Sequence, residues 1–180
     1  MIKLLFLALT ASFILPCQAF SEVASSENKV LTKQEIEKKF NLPPEPDEKL
    51  NNATILGIDS NNNNIRDDWE RAIAFEYYDD PLEMKLHNEF AKNSTFRIKS
   101  YLSNNINEYK ELLKKLDEII GCSSVLNKKS VLESGITDFE GNTFKRHKEL
   151  LRIETEMSKL IGGSSRSIRV TPNNCEEFIK

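Results

Sequence analysis

The apolar residues of this chain recur at three- and four-residue intervals, and that spacing constrains the fold more than any other feature. Trp69, Ile73 and Tyr77, with Ala72 beside them, make one stripe. Leu82, Leu86 and Phe90 make a second, which runs on through Phe96 and Ile98 to Tyr101. Ile106, Tyr109, Leu112, Leu113, Leu116 and Ile120 form a third, and Phe144, Leu150 or Leu151, Met157 and Leu160 a fourth. A period near 3.6 buries one face of a helix, whereas a half-buried strand needs strict alternation. Alternation is confined to a short extended piece at Ser167 to Val170. The expected fold is therefore all-α, a small domain of five to six helices.

Turn and cap residues divide the pattern. Thr32-Lys33-Gln34-Glu35 reads as a capping box ahead of a short helix that buries Ile36 and Phe40. Leu42-Pro43-Pro44-Glu45-Pro46 stiffens into an extended linker. Asp47 caps a helical stretch carrying Leu50, Ile55 and Leu56 that ends near Gly57. A helix from about Arg66 to Tyr78 follows the asparagine-rich loop. Asp80-Pro81 opens the long helix, with Pro at the first helical position. Asn104 or Asn105 opens the next, which Gly121 closes, and a shorter helix spans Val125 to Leu132. The last long helix starts at Thr143 and stops at Gly162-Gly163.

Residues 1–19 carry an address rather than structure. Lys3 supplies a positive start, Leu4 to Leu15 is almost wholly apolar, and Cys17-Gln18-Ala19 offers small residues for cleavage after Ala19. The run is shorter than the roughly 20 residues a membrane-spanning helix needs, so the expectation is a cleaved signal peptide and an exported chain, periplasmic or secreted. Ile14-Leu15-Pro16-Cys17 also loosely resembles a bacterial lipobox, and a lipid on Cys17 would tether the protein to a membrane. Pro16 stands where that motif takes a small residue. Residues 20–46 then read as a flexible N-terminus, short helix and linker, and residues 47–180 as the helical domain.

Cleavage after Ala19 leaves two cysteines, Cys122 and Cys175, and in an oxidising compartment an even pair is most simply one disulfide. The chain has 25 basic and 28 acidic residues, and cleavage would remove one of the basic ones, Lys3. That acidity argues against nucleic acid as a partner.

The segment that carries chemistry is Asp59-Ser60-Asn61-Asn62-Asn63-Asn64-Ile65-Arg66-Asp67-Asp68-Trp69-Glu70. Laid on a twelve-residue calcium loop, it places side-chain oxygens at positions 1 (Asp59), 3 (Asn61), 5 (Asn63), 9 (Asp67) and 12 (Glu70). Ile65 at position 7 would contribute its carbonyl. A hard ion taking six to eight oxygens is served by such alternation, with the last ligand coming from the first turn of the following helix. The competing reading is a plain capped connection, because Asn and Asp form turns and acidic groups suit a helix N-terminus.

The loop resembles those of EF-hand and dockerin-type proteins. It is also similar to a D-x-N-x-N-G-[VI]-R-D-D-x-E stretch found in uncharacterised exported bacterial proteins. The resemblance covers about thirty residues and implies a bound calcium ion and no catalytic activity. Asn64 stands where the template takes glycine, and Arg66 where it takes an aliphatic residue that pairs with a second loop. With no second loop in the sequence, Ile65 is expected to turn inward instead. Three formal negative charges imply a weak site, of roughly 0.1 to 1 mM.

No GxSxG, HExxH or P-loop pattern occurs. His87 and His147 belong to no catalytic set and are expected to be surface or satisfied histidines. The expected function is a non-enzymatic, exported helical protein with one structural calcium loop and a protein-binding surface, its partner unknown. The alternative is a periplasmic inhibitor or immunity protein against a secreted toxin.

Overall fold

The computed structural model describes residues 30–133, 138–162 and 170–179, and the chain divides after Val30, so that the described fold belongs to the unit Leu31–Lys180. The expected signal peptide, the lipobox alternative at Cys17, the N-terminal stretch before Val30 and most of the extended piece at Ser167 to Val170 lie outside the described residues. Among those residues there are seven α-helices and no strand, and the expected all-α class holds. The helices are α1 (Lys33–Phe40), α2 (Glu48–Asn51), α3 (Asp67–Tyr77), α4 (Pro81–Leu102), α5 (Ile106–Val125), α6 (Phe144–Ile161) and α7 (Glu176–Ile179). A 3-10 turn at Pro172–Cys175 precedes α7. None is long and apolar enough to cross a membrane.

The expected caps explain most helix starts. Thr32 and Glu35 form a reciprocal capping box on α1. Asp47, Asp80, Asn105 and Thr143 each accept a backbone N–H in the first turn of the helix they precede. Left-handed turns fall to asparagine: Asn41, Asn62, Asn64, Asn104 and Asn127 are the described non-glycine residues at positive φ.

Helices α4 and α5 form the long hairpin at the centre, with α3 packed on α4 and α6 against both. One cluster joins Trp69, Ile73 and Tyr77 of α3 to Leu86 and Phe90 of α4 and to Ile119 of α5. Trp69 meets Phe90 edge-on, with ring centroids 6.0 Å apart. A second cluster gathers Ile98, Tyr109, Ile153 and Met157, with Ile55, Leu56 and Leu150 against it.

The structure corrects four expectations. The proline-rich stretch is no separate linker, and the compact unit starts at Leu31 rather than Asp47. Arg71 of α3 donates to the Pro43 carbonyl and bonds Glu37 and Glu45, which fastens α1 and the prolines to the bundle. Gly121 does not close α5, which continues to Val125. Its role is close approach, since a β-carbon there would fall 2.3 Å from a methyl of Val170 in the returning tail. The expected helix over Val125 to Leu132 is absent, because α5 caps at Leu126 and Asn127 turns left-handed at φ 53°. Phe144 and Leu160 are exposed rather than core residues.

Gly57 ends the stretch after α2 with φ +66°, and a β-carbon there would lie 2.2 Å from Arg66 Cδ and 2.6 Å from Asn51 Oδ1. Both neighbours are buried, and Asn51 Oδ1 already accepts the Ile58 N–H. Gly57→Ala is expected to cost at least about 2 kcal/mol of stability in a urea titration, from strain and crowding together. A loss below half that would mean the loop entry shifts freely.

Candidate metal site

The twelve-residue loop is drawn closed at its neck, where the Asp67 N–H donates to the Ile58 carbonyl at 2.8 Å. Inside, the Asp59 carboxylate accepts the N–H of Asn63 through one oxygen (3.1 Å) and that of Asn64 through the other (2.9 Å). Asn61 Oδ1 also accepts the Asn63 N–H, and Asn63 Oδ1 accepts the Ile65 N–H at 2.8 Å. Such side-chain-to-backbone bonds make the chain curl without any strand or helix ladder. Asn64 supplies the left-handed residue, at φ 67°, where the calcium-loop template has glycine. Lys99 of α4 donates to its side-chain oxygen at 2.7 Å.

Ile65 turns inward as expected and packs in the main core with Trp69. Arg66, the residue out of place against the template, is buried as well. Its guanidinium bonds the Asp68 carboxylate and the Phe139 carbonyl. Asp68 in turn accepts from Asn51 at 2.8 Å and from Asn142 at 2.9 Å. Arg146 of α6 lies beside them, 1% exposed, and donates to Asn52 Oδ1, Asn142 Oδ1 and the Asn51 carbonyl. Burial, with the Arg66 charge close by, pushes the Arg146 guanidinium down to about 10. This polar cluster, which bolts the loop to α2 and α6, was not anticipated from the sequence. The only signal for it was the misfit of Arg66.

The candidate ligands divide by chemistry. Asp59, Asp67 and Glu70 are carboxylates; Asn61 and Asn63 offer amide oxygens and Ile65 a carbonyl. Asp67 is buried and accepts the Ser60 N–H at 2.9 Å. Glu70, in the first turn of α3, accepts from Asn61 Nδ2 at 3.0 Å. Burial holds its carboxyl above the ordinary glutamate value; the Asn61 and Asn63 amides pull it back, and repulsion from Asp67 and Asp59 adds to the rise. Among the described residues, none of the three carboxylates is in an ion pair. Nor, among those residues, do three or more His, Cys, Asp or Glu side chains come close enough together to hold a metal. The Asp59 oxygens face backbone N–H groups, and the Asn61 amide lies against Glu70.

A comparison with protein-family models, curated proteins and solved structures finds no match. The histidines lie apart from the loop. His87 is buried, donates from Nδ1 to the Glu83 carbonyl at 2.8 Å and stacks on Tyr77 at 4.3 Å. It is a satisfied histidine, as expected, with Glu83 Oε2 also near at 3.7 Å. His147 is exposed. Cys122 and Cys175 are joined by a disulfide with Cα atoms 5.5 Å apart, as expected.

Proposed function

We propose that the loop Asp59–Glu70 is a calcium site of structural purpose in an exported helical protein whose surface binds another protein. One observation carries the calcium reading. The buried Glu70 carboxylate feels repulsion from Asp67 and Asp59 of the same loop, and among the described residues none of the three is in an ion pair. A hard divalent cation held by Asp59, Asp67, Glu70, the Asn61 and Asn63 amide oxygens and the Ile65 carbonyl would supply that charge. The loop's own bonds already curl it, and binding would draw the three carboxylates together and turn the two amides inward. Bound calcium would fasten the start of α3, and Trp69 with it, to the rest of the loop. The disulfide supports the export half of the reading, because such bonds persist in oxidising compartments.

Calcium at about 10 mM is expected to stabilise the full chain by roughly 1.4 to 2.7 kcal/mol, for an affinity of about 0.1 to 1 mM. Melting temperature and the fluorescence of Trp69, the single tryptophan, read the effect. Asp59→Ala should abolish the calcium-induced increment, whatever it does to the calcium-free protein. The pH dependence has a defined sign. A carboxyl whose folded pKa is raised favours the fold while protonated, so that contribution is lost as pH rises from the ordinary glutamate value through the folded one. Calcium needs Glu70 ionised, so its stabilising increment should grow over the same rise in pH, which lies above 4.5. A calcium response that is absent, or unaltered in Asp59→Ala, defeats the reading.

A further inference from the structure

A groove of about 850 Å³ runs along the solvent side of α6 and is closed on one side by the Thr54-Ile55 turn. Its apolar surface comes from Ile55 and from Leu151, which is 51% exposed. Phe144, two turns before Leu151 on the same face, is 85% exposed. Lys148, Arg152 and Lys159 follow one another along the neighbouring strip of the helix. Arg152 is neutralised, bonding Glu149, Glu156 and the Tyr101 hydroxyl. Lys148 and Lys159 have no ion-pair or hydrogen-bond partner among the described residues. An acidic chain thus sets two cations outside any ion pair beside its exposed apolar groove, Lys159 with Glu156 near enough to feel its charge.

We propose that this groove docks an acidic amphipathic helix of a partner protein, which gives the protein-binding half of the proposed function its surface. The spacing of the cations selects the occupant. Lys148 and Lys159 stand about 16 Å apart along the axis of α6. A single-headed anionic amphiphile would leave one of them unmatched, whereas a helix with two acidic residues three turns apart answers both. A second copy docking the same face would bring lysines against lysines, since a two-fold interface pairs each patch with itself. A flat lipid surface would not enter a concave groove. Apolar anchors laid into a groove with charges at the rim are the usual form of helix recognition.

The test uses the full chain and two synthetic leucine-faced helical peptides, one with Glu and one with Lys at positions spaced as Lys148 and Lys159 are. Fluorescence anisotropy should detect the Glu peptide only, with binding that weakens in high salt. Lys148→Glu and Lys159→Glu should each reduce its affinity about tenfold, and Leu151→Asp should abolish it, all with unchanged melting temperature. No binding of the Glu peptide, equal binding of both peptides, or indifference to the charge reversals would overturn the proposal. So would self-association lost in Leu151→Asp, or binding confined to phosphatidylglycerol vesicles. A calcium titration on the same sample reads the loop separately, so the groove can fail while the calcium site stands.

Discussion

Asp68→Ala is expected to cost roughly 3–5 kcal/mol, enough to leave a domain of ordinary stability close to unfolding at room temperature. Asp68 is the carboxylate bonded to Arg66, and Arg146 lies close to the same pair with its own bonds to Asn52, Asn142 and the Asn51 carbonyl. Truncation leaves Arg66 without its ion pair and strips Arg146 of the nearby negative charge that favours its ionised form. It also removes the acceptor for the amides of Asn51 and Asn142. A buried cation left without its partner cannot recover its hydration, and the whole desolvation cost then falls on the fold. Asp68→Asn keeps an acceptor but not the charge, so its loss should fall between those of wild type and alanine. Urea titration of both variants decides the matter. A loss under about 1 kcal/mol for Asp68→Ala would show that water reaches the two arginines and that the cluster is ornamental. Because Asp68 is outside the proposed ligand set, its variants should keep a calcium response as long as they fold.

The same cluster marks the boundary of what sequence reading can reach. Local rules were legible: Thr32, Asp47 and Asp80 cap where their side chains and spacing say they should, because a cap is settled within four residues. Ile65 could be turned inward on paper because the template's aliphatic position was occupied by arginine. What could not be read was that Arg66 would be buried too. Its partners Asn51, Phe139 and Asn142 come from distant segments, and only their assembly makes burial tolerable. Gly121 failed for the same reason. A glycine late in a helical pattern reads as a stop, but here it is a gap left for Val170, a contact made across half the domain. Phe144 reads as core by period, yet α6 turns it to solvent and buries Ile153 beside the expected Met157.

Around the loop these two kinds of information meet. Its internal turns depend on residues two to five positions apart, which is why the candidate ligand positions could be assigned from the sequence. Its attachment does not: Lys99 holds Asn64 from α4, while Arg66 and Asp68 hold α2 and the residues before α6. Any ion that stiffened the loop would therefore act on three helices at once. The Thr54-Ile55 edge of the α6 groove lies in the short connection between α2 and Gly57, so it shares that anchorage.

Opening the Cys122–Cys175 bond, by reductant or by a Cys122→Ala/Cys175→Ala double substitution, should remove roughly 4 kcal/mol. The cysteines are 53 residues apart, so the bond restrains a long stretch of the unfolded chain, and the chain-entropy cost of freeing it is correspondingly high. The fold gives the released end little else of comparable strength. The 3-10 turn and α7 are four residues each, too short to persist alone, and Lys115–Glu177 is a partly exposed ion pair of small worth. Phe178 and Val170 pack in the main cluster, so they should loosen with the tail and unstopper the face of α5 around Gly121. Hydrogen exchange should accordingly rise first in residues 170–179, before the α3–α4 contacts respond, and urea titration with and without reductant should give the free-energy difference. A difference below about 1 kcal/mol, or exchange that rises evenly along the chain, would mean the tail holds by packing alone. If the full effect is found, the chain reaches its working stability only where thiols are oxidised, and a reduced copy keeps its central hairpin while its C-terminus comes free.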